Sequence, residues 1–114
     1  MRVRRIGVVL VLVAFLAIAA AAPASAVTIK ARGQRWRPPS VNIDRGDRVR
    51  WRYISGVHHT VTAYGGGWSF NKQLHPGTSV SRRFRQRGIF KFRCTIHSTL
   101  GGGGCSGMCG RVRV

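Results

Sequence analysis

The strongest constraint on this chain is a strict two-residue alternation of apolar and charged side chains over residues 48–53. Val49, Trp51 and Tyr53 alternate there with three arginines. Successive side chains of a β-strand point to opposite faces, so the pattern predicts a half-buried strand. Similar short runs, separated by Gly, Pro and Asp, continue from Val27 to the end of the chain, and none has helical periodicity. The sequence therefore predicts an all-β sandwich of about seven to eight strands.

The first 26 residues have a different character. Three arginines precede an uninterrupted apolar run over residues 8–22, and Ala24-Ser25-Ala26 follows it. A charged start, an apolar middle and a small-residue end predict a cleavable secretory signal over residues 1–26. One domain would remain over residues 27–114, exported to the periplasm, the cell surface or the medium and without stable membrane insertion. An uncleaved N-terminal anchor is the alternative.

Sulfur and imidazole side chains form a pattern typical of a metal site. Cys94 and His97 have a Cys-x-x-His spacing at the end of a predicted strand, His59 lies on another strand, and Met108 comes late in the chain. Two imidazoles, one thiolate and a weak axial thioether are the ligands of a blue-copper site, which holds both Cu(I) and Cu(II). We therefore expect one copper ion bound by these four residues. A structural zinc site that uses Cys109 in place of Met108 is a weaker alternative.

Two adjacent histidines compete for one ligand position. Alternation places His59 on the same face as Val57 and Val61, and His58 on the face of Thr60. The first face is apolar, so His59 is predicted to point inward and bind the metal, with His58 at the surface. A β-bulge would reverse the assignment.

An ordered series of motifs covers essentially all of residues 27–114. The series is Gly46-Asp47-x-Val49-x-Trp51, His59-Thr60-Val61-Thr62, Pro76-Gly77, Cys94-Thr95-Ile96-His97 and Met108-x-Gly110-x-Val112-x-Val114. It resembles the plastocyanin, pseudoazurin and amicyanin group of cupredoxins. The resemblance implies a Greek-key β-sandwich, one copper bound by His59, Cys94, His97 and Met108, and the carriage of single electrons between redox partners. An extracytoplasmic copper chaperone or scavenger could use the same ligands.

The segment between His97 and Met108 departs from the family pattern, because the methionine usually follows its histidine within a few residues. Here the segment contains four consecutive glycines and Cys105, and its composition predicts a loop. Leu100 holds the position of the methionine in the shortest family loops, so a site without an axial sulfur is the rival arrangement. In an exported protein, Cys105 and Cys109 are expected to form a disulfide, and a second Cu(I) site made of their thiols is the alternative.

The scarcity of carboxylates and the large positive net charge limit the reactions the protein could catalyse and the partners it could bind. The chain has 20 Lys and Arg against Asp44 and Asp47, which gives a formal net charge of +18. Both carboxylates fall in one predicted turn, so no acid/base pair is available and the protein is not expected to be an enzyme. A nucleophilic Cys94–His97 pair would lack a third residue to orient the imidazole. We expect a monomer whose partners are redox proteins with acidic docking surfaces, and no binding to nucleic acid.

Overall fold

The computed structural model describes residues 7–14 and 25–114, which contain nine β-strands and no α-helix. The strands are β1 (Ala26–Arg32), β2 (Arg35–Arg37), β3 (Ser40–Asn42), β4 (Arg48–Tyr53), β5 (His59–Tyr64), β6 (Asn71–Leu74), β7 (Ser79–Arg83), β8 (Ile89–Gly101) and β9 (Gly104–Arg113). Much of the predicted signal segment lies outside the described residues, and residues 7–14 belong to no helix or strand. Within the described ranges, no helix combines the length and apolar character that crossing a bilayer requires.

The strands form two sheets, with the orders β2-β1-β4-β7 and β3-β9-β8-β5-β6. Most neighbours are antiparallel, but β1 runs parallel to β4 and β3 runs parallel to β9. Two mixed sheets without helices confirm the predicted all-β sandwich. The described part of the chain has more strands than the predicted seven to eight. Two of them, β2 and β3, have three residues each and flank the prolines at 38 and 39, which the sequence shows only as an interruption.

The core lies between the two sheets and uses the alternation seen in the sequence. Val49 and Trp51 are fully buried, while the arginines between and beside them are exposed. The Trp51 ring meets the Phe92 ring of the other sheet edge to face, with centroids 5.2 Å apart. Aromatic contacts of this kind add to the free energy gained by burying apolar surface. The two sheets are therefore held face to face by side chains that the period-2 pattern assigns to the interior.

Arg82 is a charged residue that the alternation places on the inner face. It lies on β7, at the edge of the four-stranded sheet, so the side chain can reach around the core. Its guanidinium lies 5.2 Å from the centroid of the Trp68 ring and donates a 2.6 Å hydrogen bond to the carbonyl of Ser69. A cation over an aromatic face is favourable. An edge position, and not a bulge, therefore accounts for this residue.

The outer surface of the four-stranded sheet, which we call the basic face, is strongly cationic. Its exposed basic side chains are Lys30, Arg32, Arg35, Arg37, Arg48, Arg50, Arg52 and Arg83. The strand register places Lys30 directly between Arg37 and Arg52. Like charges opposite each other in a sheet repel and are destabilising. The crowding of these like charges also concentrates a positive field on one side of the domain.

The glycine-rich segment after His97 is a β-hairpin, where the sequence predicts a loop. Strands β8 and β9 remain paired through Gly101 and Gly104, and Gly102 and Gly103 form a two-residue turn with φ of +59° and +79°. Two consecutive positive φ angles are the requirement of the tight hairpin turns that match strand twist. The sequence does not predict this hairpin because backbone hydrogen bonds hold it together, and exposed glycines provide no apolar alternation from which to predict a strand.

The predicted disulfide joins Cys105 to Cys109, both on β9. Their Cα atoms are 6.2 Å apart, whereas four residues of extended strand would span about 13 Å. The strand therefore bends between the two cysteines, and the disulfide closes the bend. Met108 lies inside this closed segment.

Candidate metal centre

Three side chains from two neighbouring strands bring potential metal ligands together. His59 begins β5, and Cys94 and His97 lie within β8. One ligand atom from each residue lies within 4.8 Å of the other two. Cys94 Sγ is 3.9 Å from His59 Nδ1 and 3.4 Å from His97 Nδ1. His59 and Cys94 are fully buried, and His97 is partly exposed.

The spacing of these atoms fits one transition-metal ion. Metal–sulfur and metal–nitrogen bonds of about 2.3 and 2.05 Å, as known for zinc, separate the two donors by about 3.6–3.8 Å at angles of about 109–120°. The distances from Cys94 Sγ to the two imidazoles lie on either side of this range, at 3.4 and 3.9 Å. The side chains therefore need only small movements to share an ion.

His59 is held with its Nδ1 atom toward the sulfur. Its Nε2–H donates a 3.2 Å hydrogen bond to the carbonyl of Ser55, which leaves the lone pair on Nδ1. A hydrogen bond on the second ring nitrogen is the usual way in which a metal-binding histidine is oriented. The rings of Trp36 and Tyr53 lie 6.4 and 5.7 Å from the imidazole, centroid to centroid.

Burial also favours the neutral imidazole that a metal requires. Desolvation lowers the pKa of His59 below its usual value. The hydrogen bond to Ser55 acts in the opposite direction, and the nearby imidazoles of His97 and His58 lower the pKa further. A neutral His59 is therefore ready to bind an ion near neutral pH.

His58 lies outside this group, as strand alternation predicts. It is partly exposed and hydrogen-bonds through Nε2 to the side chain of Gln73. Strand alternation nevertheless predicted the wrong burial for two neighbouring residues. Val57 is 62% exposed, because it precedes the first residue of β5, and Thr60 is only 5% exposed, because Thr95 covers it.

Thr60 supports the site in two ways that sequence reasoning missed. Its backbone N–H donates a 3.4 Å hydrogen bond to Cys94 Sγ, and its hydroxyl oxygen accepts a 2.9 Å bond from the N–H of Thr95. Hydrogen bonds to a ligating sulfur tune the potential of a bound metal. The only signal in the sequence is that Thr60 directly follows His59. A hydroxyl on the residue after an inward histidine is compatible with many other roles.

Met108 faces the same segment of β8. Arg93 pairs with Cys109 and Ser98 pairs with Gly107, so the irregular segment 94–97 lies opposite Met108 alone. The Met108 side chain is 1% exposed, and its carbonyl accepts a 3.1 Å hydrogen bond from Trp36 Nε1. A thioether on this residue is therefore buried next to the segment that contains Cys94 and His97.

Leu100 does not share that environment. It pairs with Cys105 farther along the hairpin and is 46% exposed. The rival arrangement, with Leu100 packed against the metal, therefore finds no support in the placement of this side chain.

The disulfide removes two of the alternatives that the sequence leaves open. Cys109 is bonded to Cys105, so it has no thiolate to serve as a fourth zinc ligand. The same bond leaves no pair of thiols for a second Cu(I) site. Cys94 is the free cysteine, and it is buried. The remaining donors are two imidazole nitrogens and one thiolate, a set that suits copper.

Comparisons with known proteins agree with this architecture. No protein-family model and no curated protein matches the sequence. Among solved structures, a reduced amicyanin variant has a TM-score of 0.63 at 20% identity, over 78% of this chain and 81% of that one. A purple cupredoxin from Nitrosopumilus maritimus has a TM-score of 0.63 at 20% identity, over 76% of this chain and 97% of that one. The chain has the cupredoxin fold.

The cupredoxin fold also occurs as part of a larger protein. A copper-containing nitrite reductase from Thermus scotoductus superposes with a TM-score of 0.64 at 21% identity, over 77% of this chain but 22% of that one. The fold alone therefore does not separate a small carrier from a piece of an enzyme. In this cupredoxin-fold chain the distinction has to come from the site and its surroundings.

Proposed function

We propose that this protein is a type 1 (blue) copper protein that carries single electrons between redox partners, with His59, Cys94, His97 and Met108 as ligands. The observation that carries the proposal is that one imidazole nitrogen from each of two histidines and one buried thiol lie within 4.8 Å of one another. A copper ion bound there supplies a one-electron change between Cu(I) and Cu(II). The chain itself contributes a donor set that accommodates both oxidation states.

The surroundings of the donors support electron transfer over the alternative of copper delivery. His59 and Cys94 are fully buried, and each side chain is held by a hydrogen bond with the backbone: His59 donates to the Ser55 carbonyl, and Cys94 accepts from the Thr60 N–H. A delivery protein must release its ion, which favours exposed and mobile ligands. Of the three donors, His97 is the one with exposed surface, so it is the route by which an electron would leave without release of the metal.

One of the two carboxylates of the chain has a structural role. The Asp47 carboxylate accepts a 3.0 Å hydrogen bond from the backbone N–H of Asp44. It therefore fixes the turn before β4.

An optical and EPR spectrum of the copper-loaded protein tests the proposal. A buried thiolate bound to Cu(II) gives an intense visible band, which reversible reduction by one electron should remove and reoxidation should restore. A colourless Cu(II) form, or a protein that binds only Cu(I) and gives it up readily, would favour copper delivery instead.

The axial role of Met108 gives a prediction about the reduction potential. We expect Met108→Leu to raise the potential, because an apolar axial neighbour disfavours the more highly charged Cu(II). Leu100→Met on the exposed hairpin should leave it unchanged. Voltammetry of both variants on one electrode measures the effect. The axial assignment fails if Met108→Leu shifts neither the potential nor the spectrum.

We also propose that the protein is exported and that residues 1–26 are removed. The Cys105–Cys109 disulfide supports this, since disulfides persist in oxidising compartments. The mass of the intact protein recovered from cells should correspond to a chain that begins at Val27. A mass that includes the apolar segment would point to an N-terminal anchor.

The basic face predicts how partners approach. A concentrated positive field should steer an acidic redox partner, so the second-order rate constant for electron transfer should fall as salt is added. Screening shortens the reach of the field to about 8 Å at physiological ionic strength. Stopped-flow measurements from low to high salt would show this. Charge reversal at Arg37 and Arg52 should flatten the dependence, and a rate that ignores salt in the native protein would exclude steering by an acidic partner.

A further inference from the structure

A second group of metal-binding side chains lies outside the centre described above. His58 immediately precedes β5, and His75 immediately follows β6. The last pair in the antiparallel ladder of these strands is His59 with Leu74. His58 and His75 are the next two residues in that register, so the ladder itself brings them opposite each other. Their ring centroids are 4.3 Å apart, with the rings at 70°.

Neighbouring groups hold both imidazoles at this place. The Nε2–H of His58 donates a hydrogen bond to Gln73 Oε1, which leaves the lone pair on Nδ1. Thr78 fixes the backbone of His75 from both sides. Its hydroxyl oxygen accepts a 2.9 Å bond from the His75 N–H, and the hydroxyl donates a 2.7 Å bond to the His75 carbonyl. The His58 ring is therefore oriented through its second nitrogen, as in known metal sites. His75 belongs to a turn whose backbone is fixed by hydrogen bonds.

The chemistry of the pair differs from that of the buried centre. It offers two imidazole nitrogens at the surface and no thiolate, a combination that suits divalent ions such as Cu²⁺, Ni²⁺ and Zn²⁺. His58 and His59 are adjacent in the chain, but His59 is buried and His58 is partly exposed. One ion therefore cannot be shared between the two groups without disrupting β5.

We propose that His58 and His75 form a second, surface site for a divalent transition-metal ion, with Gln73 as the positioning residue for His58. The site stands on residues that the electron-transfer centre does not use. It would exist whether or not that centre carries electrons. The net positive charge of the chain, +18, opposes the binding of a dication. Salt screens that opposition, so the site is best measured at physiological ionic strength.

Titration of the protein with Cu²⁺, followed by EPR, tests the proposal. After a first equivalent has filled the buried centre, we expect a second equivalent to give a separate signal without the intense visible band. His75→Ala and His58→Ala should each abolish the second signal and keep the band of the first centre, which also shows that the variants fold. Gln73→Leu should weaken the second site by about tenfold or more. Lys72→Ala, the neighbouring exposed change on β6, should leave both sites intact.

The outcomes distinguish the surface site from the buried blue-copper centre. Failure to take up a second Cu²⁺, or unchanged uptake in His75→Ala, would overturn the surface site. Loss of the visible band in the native protein would instead count against the buried blue-copper centre. If that centre gives no band, Ni²⁺ titration of the same variants still measures the surface site.

Discussion

Replacing Cys94 with serine is expected to abolish the intense visible absorption of the copper-loaded protein and nearly all of its reversible one-electron chemistry. The colour requires a thiolate bound to Cu(II), and a serine hydroxyl does not supply one. The change is small in volume and leaves an oxygen that can accept the hydrogen bond from the Thr60 N–H, now made to Cys94 Sγ at 3.4 Å. The fold should therefore survive while the centre loses its strongest donor.

The two remaining cysteines provide the matched control. Cys105 and Cys109 are joined to each other and supply no thiolate. A double Cys105→Ser, Cys109→Ser variant should keep the visible band, although the bend in β9 loses its covalent brace. Retention of the band in Cys94→Ser would show that the coloured centre lies elsewhere in the chain. Visible spectra and voltammetry of the native protein and the two variants, each loaded with one equivalent of copper, show whether Cys94 supplies the thiolate.

Gly107→Ala is expected to damage both the fold and the metal centre, although the change touches no ligand. Gly107 has a φ of +97°, and an added Cβ would lie 2.4 Å from the carbonyl oxygen of His97 and 3.2 Å from the Cα of Ser98. Both contacts are with backbone, so the β8 segment that contains His97 would have to move. We expect a loss of roughly 3 kcal/mol in the free energy of unfolding, together with an altered copper spectrum.

Gly103→Ala separates backbone strain from this clash. Gly103 also has a positive φ, +79°, but an added Cβ would meet nothing within 4 Å. Its cost should be only the strain of the left-handed conformation, about 1–2 kcal/mol, with no spectral change. Urea unfolding of the metal-free variants gives the two free energies. Equal losses in the two variants would mean that the contact with His97 has no role.

The centre was largely predictable because its ligands follow strand alternation and a short local spacing. Burial of His59 and exposure of arginines along β4 both follow from the period-2 pattern. The burial of Thr60 was not predictable from that pattern, because the irregular segment of β8 covers this outward-facing side chain. Such coverage depends on where a second strand deviates from regular pairing. A pattern within one strand carries no information about its neighbour.

The hairpin at the end of β8 has a consequence for chain length. Ser98 and Gly107 are paired neighbours, so His97 and Met108 are kept close whatever lies beyond that pair. Three further pairs carry the turn about 10 Å outward, at about 3.4 Å per residue. Insertions of whole cross-strand pairs at the tip, and deletion of the Gly101–Gly104 pair, should therefore be tolerated, whereas deletion of the next pair would remove Cys105 and its disulfide. A peptide tag or an electrode tether spliced between Gly102 and Gly103 would extend from the tip of the hairpin, with His97 and Met108 undisturbed at its base.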